Sequence, residues 1–540
     1  MVRDESLSLL AEGYDFLPRR GWKAGRRWFR TRLMSRPAIG LSGGDAPEVL
    51  YAPGRFTRVG ALPPTTLRLL QDVDSVNQLD GAAHRKRKAA FLDLLSEAQA
   101  RRLADAFEPR LRARLSRGGR FALLPTAARL LCAAALDWMG VPQVTRRDLM
   151  RRTRDCSAMV GRAGAADLSV LGSLLLRERT ERWARRLIAA VRFGALRPAP
   201  DSPLARVAAW TDEAGRVLPV RTAAVELINL LRPIVAAARY IVFAADALRR
   251  QPDWRARLRT DDEASTEAFA QEVRRAYPFF PAVAGRVVEP FQWSGRRFRR
   301  GEWVLADLHG ANQDPARWTD PERFDPGRFL AAPGMAAPGM ADRVVAQGAG
   351  DPRLSHRCPG ERMTIELIKA ATRLLAHAEW TTPPQRFDMP LDRLPTAPRD
   401  GFVMELETKS AGRSSLDADL PARAGAGVFA ALFAGLGLSI LAAPRTGASV
   451  FGLPAGGQAL PFVRALAFRD LGLAAIFALA AKNPRHGQVG AVALGASVIP
   501  CLDAVLVARR RGHRALPALA LHALSGAALL AVAMRDRSRA

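Results

Sequence analysis

Residues 347–361 read QGAGDPRLSHRCPGE, one cysteine, Cys358, in a glycine-rich loop that runs into a predicted helix. Pro359 suits the first helical position, since its missing N–H has no partner there, and Gly360 lets a flat ligand approach the backbone. Free amides and the positive end of the helix are expected to lower the thiol's pKa and hold its charge without a nearby lysine. Zinc fits poorly, because it takes four ligands and only His356 lies close in sequence. A haem iron with one axial thiolate and an open position opposite fits well. The competing reading is a cysteine buried ahead of a helix for packing alone.

Two further stretches bear on that choice. Residues 271–278, QEVRRAYP, put Glu272 and Arg275 three apart and so on one helical face. Residues 312–329, NQDPARWTDPERFDPGRF, form a proline- and aromatic-punctuated loop whose Arg328 completes a candidate Glu272/Arg275/Arg328 network. The order Glu-x-x-Arg, Pro-x-Arg-Phe, Cys-Pro-Gly, at these separations, resembles the cytochrome P450 family from the N-terminus to about Lys409. That resemblance implies a mainly α fold with small β-sheets and haem b bound through Cys358. It also implies that His84, Lys88 and His356 contact the haem propionates; a solvated basic helix face is the other reading of His84 and Lys88.

A third stretch concerns the chemistry. Residues 223–245, AAVELINLLRPIVAAARYIVFAA, are apolar on nearly every face and read as a buried helix with Arg232 and Pro233 at its middle. The proline kinks the helix at a cost of ~3 kcal/mol, and an unpaired buried guanidinium costs several more. Glu226 lies off the face of Arg232, and Asn229 offers a hydrogen bond but no charge. The anionic partner is therefore either a ligand carboxylate gripped by the arginine fork or an internal Asp or Glu from another helix.

In typical members of the resembled family an acid-alcohol pair stands where this chain has Arg-Pro. With the opening SLSLLAEGYDFL at 6–17 and RAYPFFPAV at 275–283, the substitution resembles the fatty-acid peroxygenase branch. What this implies is that hydrogen peroxide is used directly, without a reductase. Arg232 and Pro233 are then the catalytic positions, with Arg232 holding the fatty-acid carboxylate as general acid-base. Attack follows at the α or β carbon, with decarboxylation to a terminal alkene as a rival outcome. The alternative is a conventional reductase-dependent monooxygenase. Asn77, followed by Gln78, stands where the branch has a Gln or His. Ser355 replaces a common glycine, and Val344–Gly348 lacks the usual aromatic. Phe279, Phe280 and Val283 are candidates for the acyl channel or for plain core.

The chain has 540 residues and a net charge of +29, with six lysines (Lys23, Lys86, Lys88, Lys369, Lys409, Lys482) among 81 basic residues. A basic surface attracts nucleic acid or anionic lipid; no nucleic-acid motif is present, so membrane lipid is the expected partner. Cys132, Cys156, Cys358 and Cys501 are scattered singly, which argues against a disulfide framework. The charged start (Arg3, Asp4, Glu5) carries no signal-like apolar run, so a cytoplasmic catalytic domain is expected. Residues 1–409 read as that domain, 410–424 as a linker, and 425–540 as a membrane domain of four helices. Gly425–Ala443 and Leu516–Met534 are each 19 residues free of Asp, Glu, Lys and Arg, long enough to cross the bilayer's ~30 Å core. Phe462–Ala481 and Gln488–Ala508 are weaker spans, and a soluble Ala/Leu bundle is the competing reading. This part resembles a small bacterial membrane-domain family of unknown function, which implies an inner-membrane location. It reads as an anchor, or as a lipid transporter or sensor with an attached haem domain. Asp503 and His522 are candidate intramembrane groups, more often helix glue.

Overall fold

The repeat of apolar side chains sets the helices that frame the site. In Leu123–Trp138, Leu123, Ala127, Leu131, Ala135 and Trp138 are buried at helical spacing. In Glu361–His377 the buried Ile365, Ile368, Thr372 and Leu375 do the same. Starts are chemically marked: Asp262 accepts from the backbone N–H of Ala264 and Ser265 at 3.1 Å and caps Glu263–Ala276, the helix of Glu272 and Arg275.

The computed structural model describes residues 3–539 except 166, 261, 333–334, 408–414, 447–459, 483–487 and 512–515. The chain divides into two compact units, Met1–Lys409 and Ser410–Ala540. The first is mainly helical with small sheets. Its largest sheet orders Trp28–Leu33, Arg36–Leu41, Trp303–Asp307, Ala282–Val287 and Phe56–Thr57, antiparallel except where Arg36–Leu41 meets Trp303–Asp307. A three-stranded sheet joins Trp380–Thr381, Val403–Leu406 and Gly119–Ala122. Ser294 and Gly295, both at positive φ, turn the hairpin of Phe291–Trp293 and Arg296–Phe298.

The buried helix expected over 223–245 is two helices, Val220–Ala236 and Ala238–Arg250, meeting at Ala237. Pro233 has no N–H for the Asn229 carbonyl, and the Ala237 N–H is shared between Pro233 O at 3.1 Å and Ile234 O at 3.2 Å. Among the described residues, Val220–Arg250 is the one stretch long and apolar enough to cross a membrane, and 89% of its most apolar 18-residue window is buried as core of the first unit.

The second unit is helical: Ser415–Ala442, Leu460–Lys482, Gln488–Arg511 and Leu516–Arg539. The linker expected over 410–424 needs correction. Residues 410–414 lie outside the described residues, and from Ser415 the chain is already helix. Within this unit the apolar helical stretches among described residues are the shorter Gly427–Ala442, Val492–Asp503 and His522–Ala531. Arg469 bridges Asp470 at 3.0 Å and Asp503 at 3.3 Å, and His522 Nδ1 lies 4.0 Å from Asp503.

Candidate active site

Cys358 is held in a loop tied down at several points. Its N–H donates to Gln347 O at 3.0 Å, and the Ser355 hydroxyl bonds Ala349 O at 3.0 Å and Asp351 O at 2.7 Å. Gly348, at φ +105°, has no room for a side chain, because a Cβ would meet the Tyr51 ring at 2.7 Å. The helix begins at Glu361 with Gly360 at its cap, so Pro359 precedes the first turn instead of occupying it. Burial raises the Cys358 thiol pKa against the lowering effects of the Gly360 N–H and of Lys88, so the expected net lowering by amides does not hold for the protein alone. Nor is the cysteine far from a lysine: buried Lys88 donates through Nζ to the carbonyl of Arg357.

Cys358 opens onto a cavity of about 630 Å³, and no other cysteine lines it. One end of this cavity is basic. His84, Lys88 and His356 all line it, the two imidazoles with ring centroids 4.1 Å apart. Burial, and then the neighbouring His356, pushes His84 down to about 3. Burial likewise lowers His356, although Asp80 Oδ1 lies 4.0 Å from its Nε2. Arg58 joins this group. Its Nη1 donates to Ala284 O at 2.6 Å and its guanidinium lies over the Tyr51 ring, while Nη2 is buried with no protein partner. Sequence reading missed Arg58, one arginine among many, just past the two-residue strand Phe56–Thr57 with no motif around it.

The cavity wall also carries Arg232, 7% exposed, with Pro233 beside it. Burial, then the nearby Arg177, pushes the Arg232 pKa down to about 9. Its Nη1 donates to Asn229 Oδ1 at 3.0 Å, and among the described residues no carboxylate reaches ion-pair distance. Glu226 is closer to this centre than its spacing along the helix implied. Asn229 Nδ2 donates to Glu226 Oε2 at 3.0 Å, and Arg87 bridges Glu226 Oε1 at 2.8 Å. Burial raises the Glu226 pKa, and Arg87 opposes it.

Asn77 lines the cavity, while Gln78 turns its amide toward Gln71, Arg58 O and Asn77 O. Phe279, Phe280 and Val283 also lie on the wall, where the strand Ala282–Val287 begins. Phe279 stacks on Tyr240 at 4.4 Å, and its carbonyl accepts from Tyr14 Oη at 2.7 Å.

Glu272, Arg275 and Arg328 come together away from the cavity. Arg275 grips Glu272 bidentately at 2.7 and 2.8 Å, both fully buried, and Arg328 Nε lies 3.3 Å from the same carboxylate. Arg275 also donates to Asn312 O at 2.8 Å, and Asn312 Oδ1 accepts from Val345 N at 3.0 Å, just ahead of the cysteine loop. The next residue, Arg274, ties the same helix to that loop through Gln347 at 2.9 Å and Glu361. Sequence reading passed over this second link because Arg274 and Glu361 are 87 residues apart.

The cytochrome P450 family profile matches residues 264–405, and a domain of unknown function, DUF4267, matches 430–535. Cytochrome p450 CYP199A2 of Rhodopseudomonas palustris is 29% identical over 258 residues, 46% of this chain, and the match spans 59% of that relative's length. Among solved structures, a variant of Cytochrome P450SP alpha (CYP152B1) is 37% identical with TM-score 0.71, over 75% of this chain and 98% of its own. Cytochrome P450EX alpha (CYP152N1), solved with myristic acid, is 32% identical with TM-score 0.69, over 74% and 96%. A variant of Cytochrome P450 OleT in complex with arachidonic acid is 27% identical with TM-score 0.70, over 75% and 98%. The chain belongs to the cytochrome P450 family, with CYP152 enzymes among its structural neighbours, and with that family goes a haem held by a cysteine thiolate.

Proposed function

We propose that this oxidoreductase uses hydrogen peroxide, without a reductase, to hydroxylate fatty acids at the α or β carbon. The observation that carries the reading is Arg232, a buried guanidinium on the cavity wall with no carboxylate partner among the described residues. Relatives solved with myristic and arachidonic acid support a fatty acid as that partner.

The residues present fit a haem. Cys358 is the sole cysteine on the cavity, Arg58 Nη2 and His84 Nε2 are buried there without protein partners, and Lys88 and His356 stand beside them. A Cβ on Gly360 would lie 3.9 Å from both Cys358 Sγ and Leu95 Cδ1. Four such groups suit two propionates. Bound through Cys358, the haem supplies thiolate-assisted O–O cleavage and oxidation of a C–H bond. The chain's own residues do the rest. Arg232, steadied by Asn229, binds and orients the acid, and the clamped carboxylate takes the peroxide proton and returns it to the departing oxygen. Phe279, Phe280 and Val283 hold the acyl chain and exclude water. With the head fixed, only the first carbons reach the oxidant.

The test is to load the protein with haem, add palmitic acid and peroxide with no reductase, and assay 2- and 3-hydroxy acids and terminal alkene. Hexadecanol is the control. Product from the acid alone supports the reading; turnover only with NADPH and a reductase replaces it with a conventional monooxygenase.

The C-terminal unit we read as a membrane domain that anchors the enzyme at the bacterial inner membrane, with the haem domain on the cytoplasmic side and lipid as its partner. The apolar stretches in three of its four helices, and the chain's net positive charge, support this. The full chain is expected to pellet with membranes and need detergent, whereas residues 1–409 stay in the supernatant and bind haem. A full chain that stays in the supernatant without detergent refutes the anchor.

A further inference from the structure

Glu226 is wholly buried and makes more polar contacts than any catalytic reading assigns it. Its Oε1 accepts from Arg87 Nη1 at 2.8 Å and from the Val76 N–H at 2.7 Å, and its Oε2 accepts from Asn229 Nδ2 at 3.0 Å. Asn229 Nδ2 also donates to the Gln71 carbonyl at 3.2 Å, leaving Oδ1 to accept from Arg232 Nη1 at 3.0 Å. An amide has one donor end and one acceptor end. With two pure acceptors on one side, Glu226 and the Gln71 carbonyl, the flipped amide sets oxygen against oxygen and leaves Arg232 facing an N–H. Glu226 thereby dictates which way Asn229 faces. Through Asn229 it fixes Nη1 of Arg232 and aims the rest of the fork.

The same carboxylate holds the backbone of Val76, whose neighbour Asn77 is part of the cavity wall. One buried group thus sets both the anchor for the acid's head and the wall beside its first carbons. Arg87 extends the tie to the helix Gly81–Leu94, which carries His84 and Lys88 on the haem side of the cavity.

We propose that Glu226 and Asn229 are positioning residues that orient the Arg232 fork and so set how tightly the fatty acid binds and which carbon is attacked. The proposal rests on the reading of Arg232 as carboxylate clamp. Neither residue touches the reacting atoms. A glutamine at 226 presents an N–H as well as an oxygen, which releases the constraint on the Asn229 amide while keeping nearly the same volume.

The experiment compares E226Q, N229A and R232A with wild type in the haem-loaded full chain. It measures palmitate affinity by the haem absorbance shift, the ratio of 2- to 3-hydroxy acid made with peroxide, and the melting temperature. E226Q and N229A are expected to weaken palmitate binding by about tenfold, the worth of one oriented hydrogen bond, and to change the product ratio. If R232A loses palmitate while both variants keep wild-type affinity and ratio, the proposal is overturned and the clamp stands. Lowered melting temperature with unchanged affinity and ratio assigns Glu226 a structural role only and also overturns it. Palmitate binding by R232A at wild-type strength overturns the clamp itself. N229A reports independently should E226Q fail to fold.

Discussion

Replacing Arg232 with leucine separates what this residue costs the empty protein from what it gives the substrate. Leucine keeps most of the buried stem's packing and removes the charge. In the empty protein Arg232 has one hydrogen bond, to Asn229 at 3.0 Å, and no ion pair among the described residues. A buried charge without an anion costs several kcal/mol. Losing that cost and one hydrogen bond together leaves R232L at least as stable as wild type. For the acid the balance is reversed. With Nη1 on Asn229, the remaining donors form a fork for one carboxylate, each charge-assisted bond contributing ~1.5–3 kcal/mol. Two such bonds amount to ~3 kcal/mol or more, a loss in kcat/KM of at least about a hundredfold. The assay is peroxide-driven hydroxylation of palmitate beside thermal unfolding of the acid-free protein. Destabilisation by several kcal/mol would mean that a carboxylate of the protein already pairs with Arg232, and undiminished turnover would mean that the acid binds elsewhere. Either result refutes the reasoning.

Other outcomes follow from the same structure. Cys358→Ser is expected to abolish the thiolate-type spectrum of the reduced carbon-monoxide complex, while Cys132→Ser, buried away from the cavity, retains it. Arg275→Leu leaves buried Glu272 with Arg328, at 3.3 Å, as its one cationic partner among the described residues, and is expected to destabilise by about 3–5 kcal/mol in denaturant unfolding. Asp307 is buried with Oδ2 unpartnered, and burial raises its pKa from 3.8 to about 8 against the opposing Gly310 N–H. Across that interval the folded state holds a proton that the unfolded state has released, so stability falls as pH rises. Asp307→Asn is therefore expected to raise the melting temperature above pH 8 and to have little effect near pH 4. An equal change at both ends would rule out the titration.

Contiguous chemistry was legible in the sequence; pairing across distance was not. The family followed from motifs in which neighbours along the chain share a loop or a helical turn, as at Cys358 or Glu272 and Arg275. Arg232 stood out because a charge within an apolar helix needs an anion. Glu226 was set aside on helical spacing, yet Asn229 bridges it to Arg232. Its partner Arg87 is 139 residues away in a chain where arginine is everywhere, so no single arginine drew attention. Arg58 stayed hidden for the same reason. The errors at Pro359 and at the start of Ser415–Ala442 concern helix ends, where local residue preference shifts a boundary by a turn or more. The thiol's pKa was misjudged because burial cannot be read from a loop sequence, and it outweighs the amide effects.

If Arg232 is the carboxylate clamp proposed above, its uncompensated guanidinium also makes the acid a chaperone of the enzyme that binds it. A ligand that binds only the folded state stabilises it by mass action, by ~2.7 kcal/mol when present at a hundred times its dissociation constant. In the cell, differences of that size alter how often a protein opens to proteases and so how much of it persists. On the proposed reading of Arg232, free fatty acid would lengthen the lifetime of the protein and scarcity would shorten it, which would give abundance a dependence on lipid supply that requires no transcriptional control.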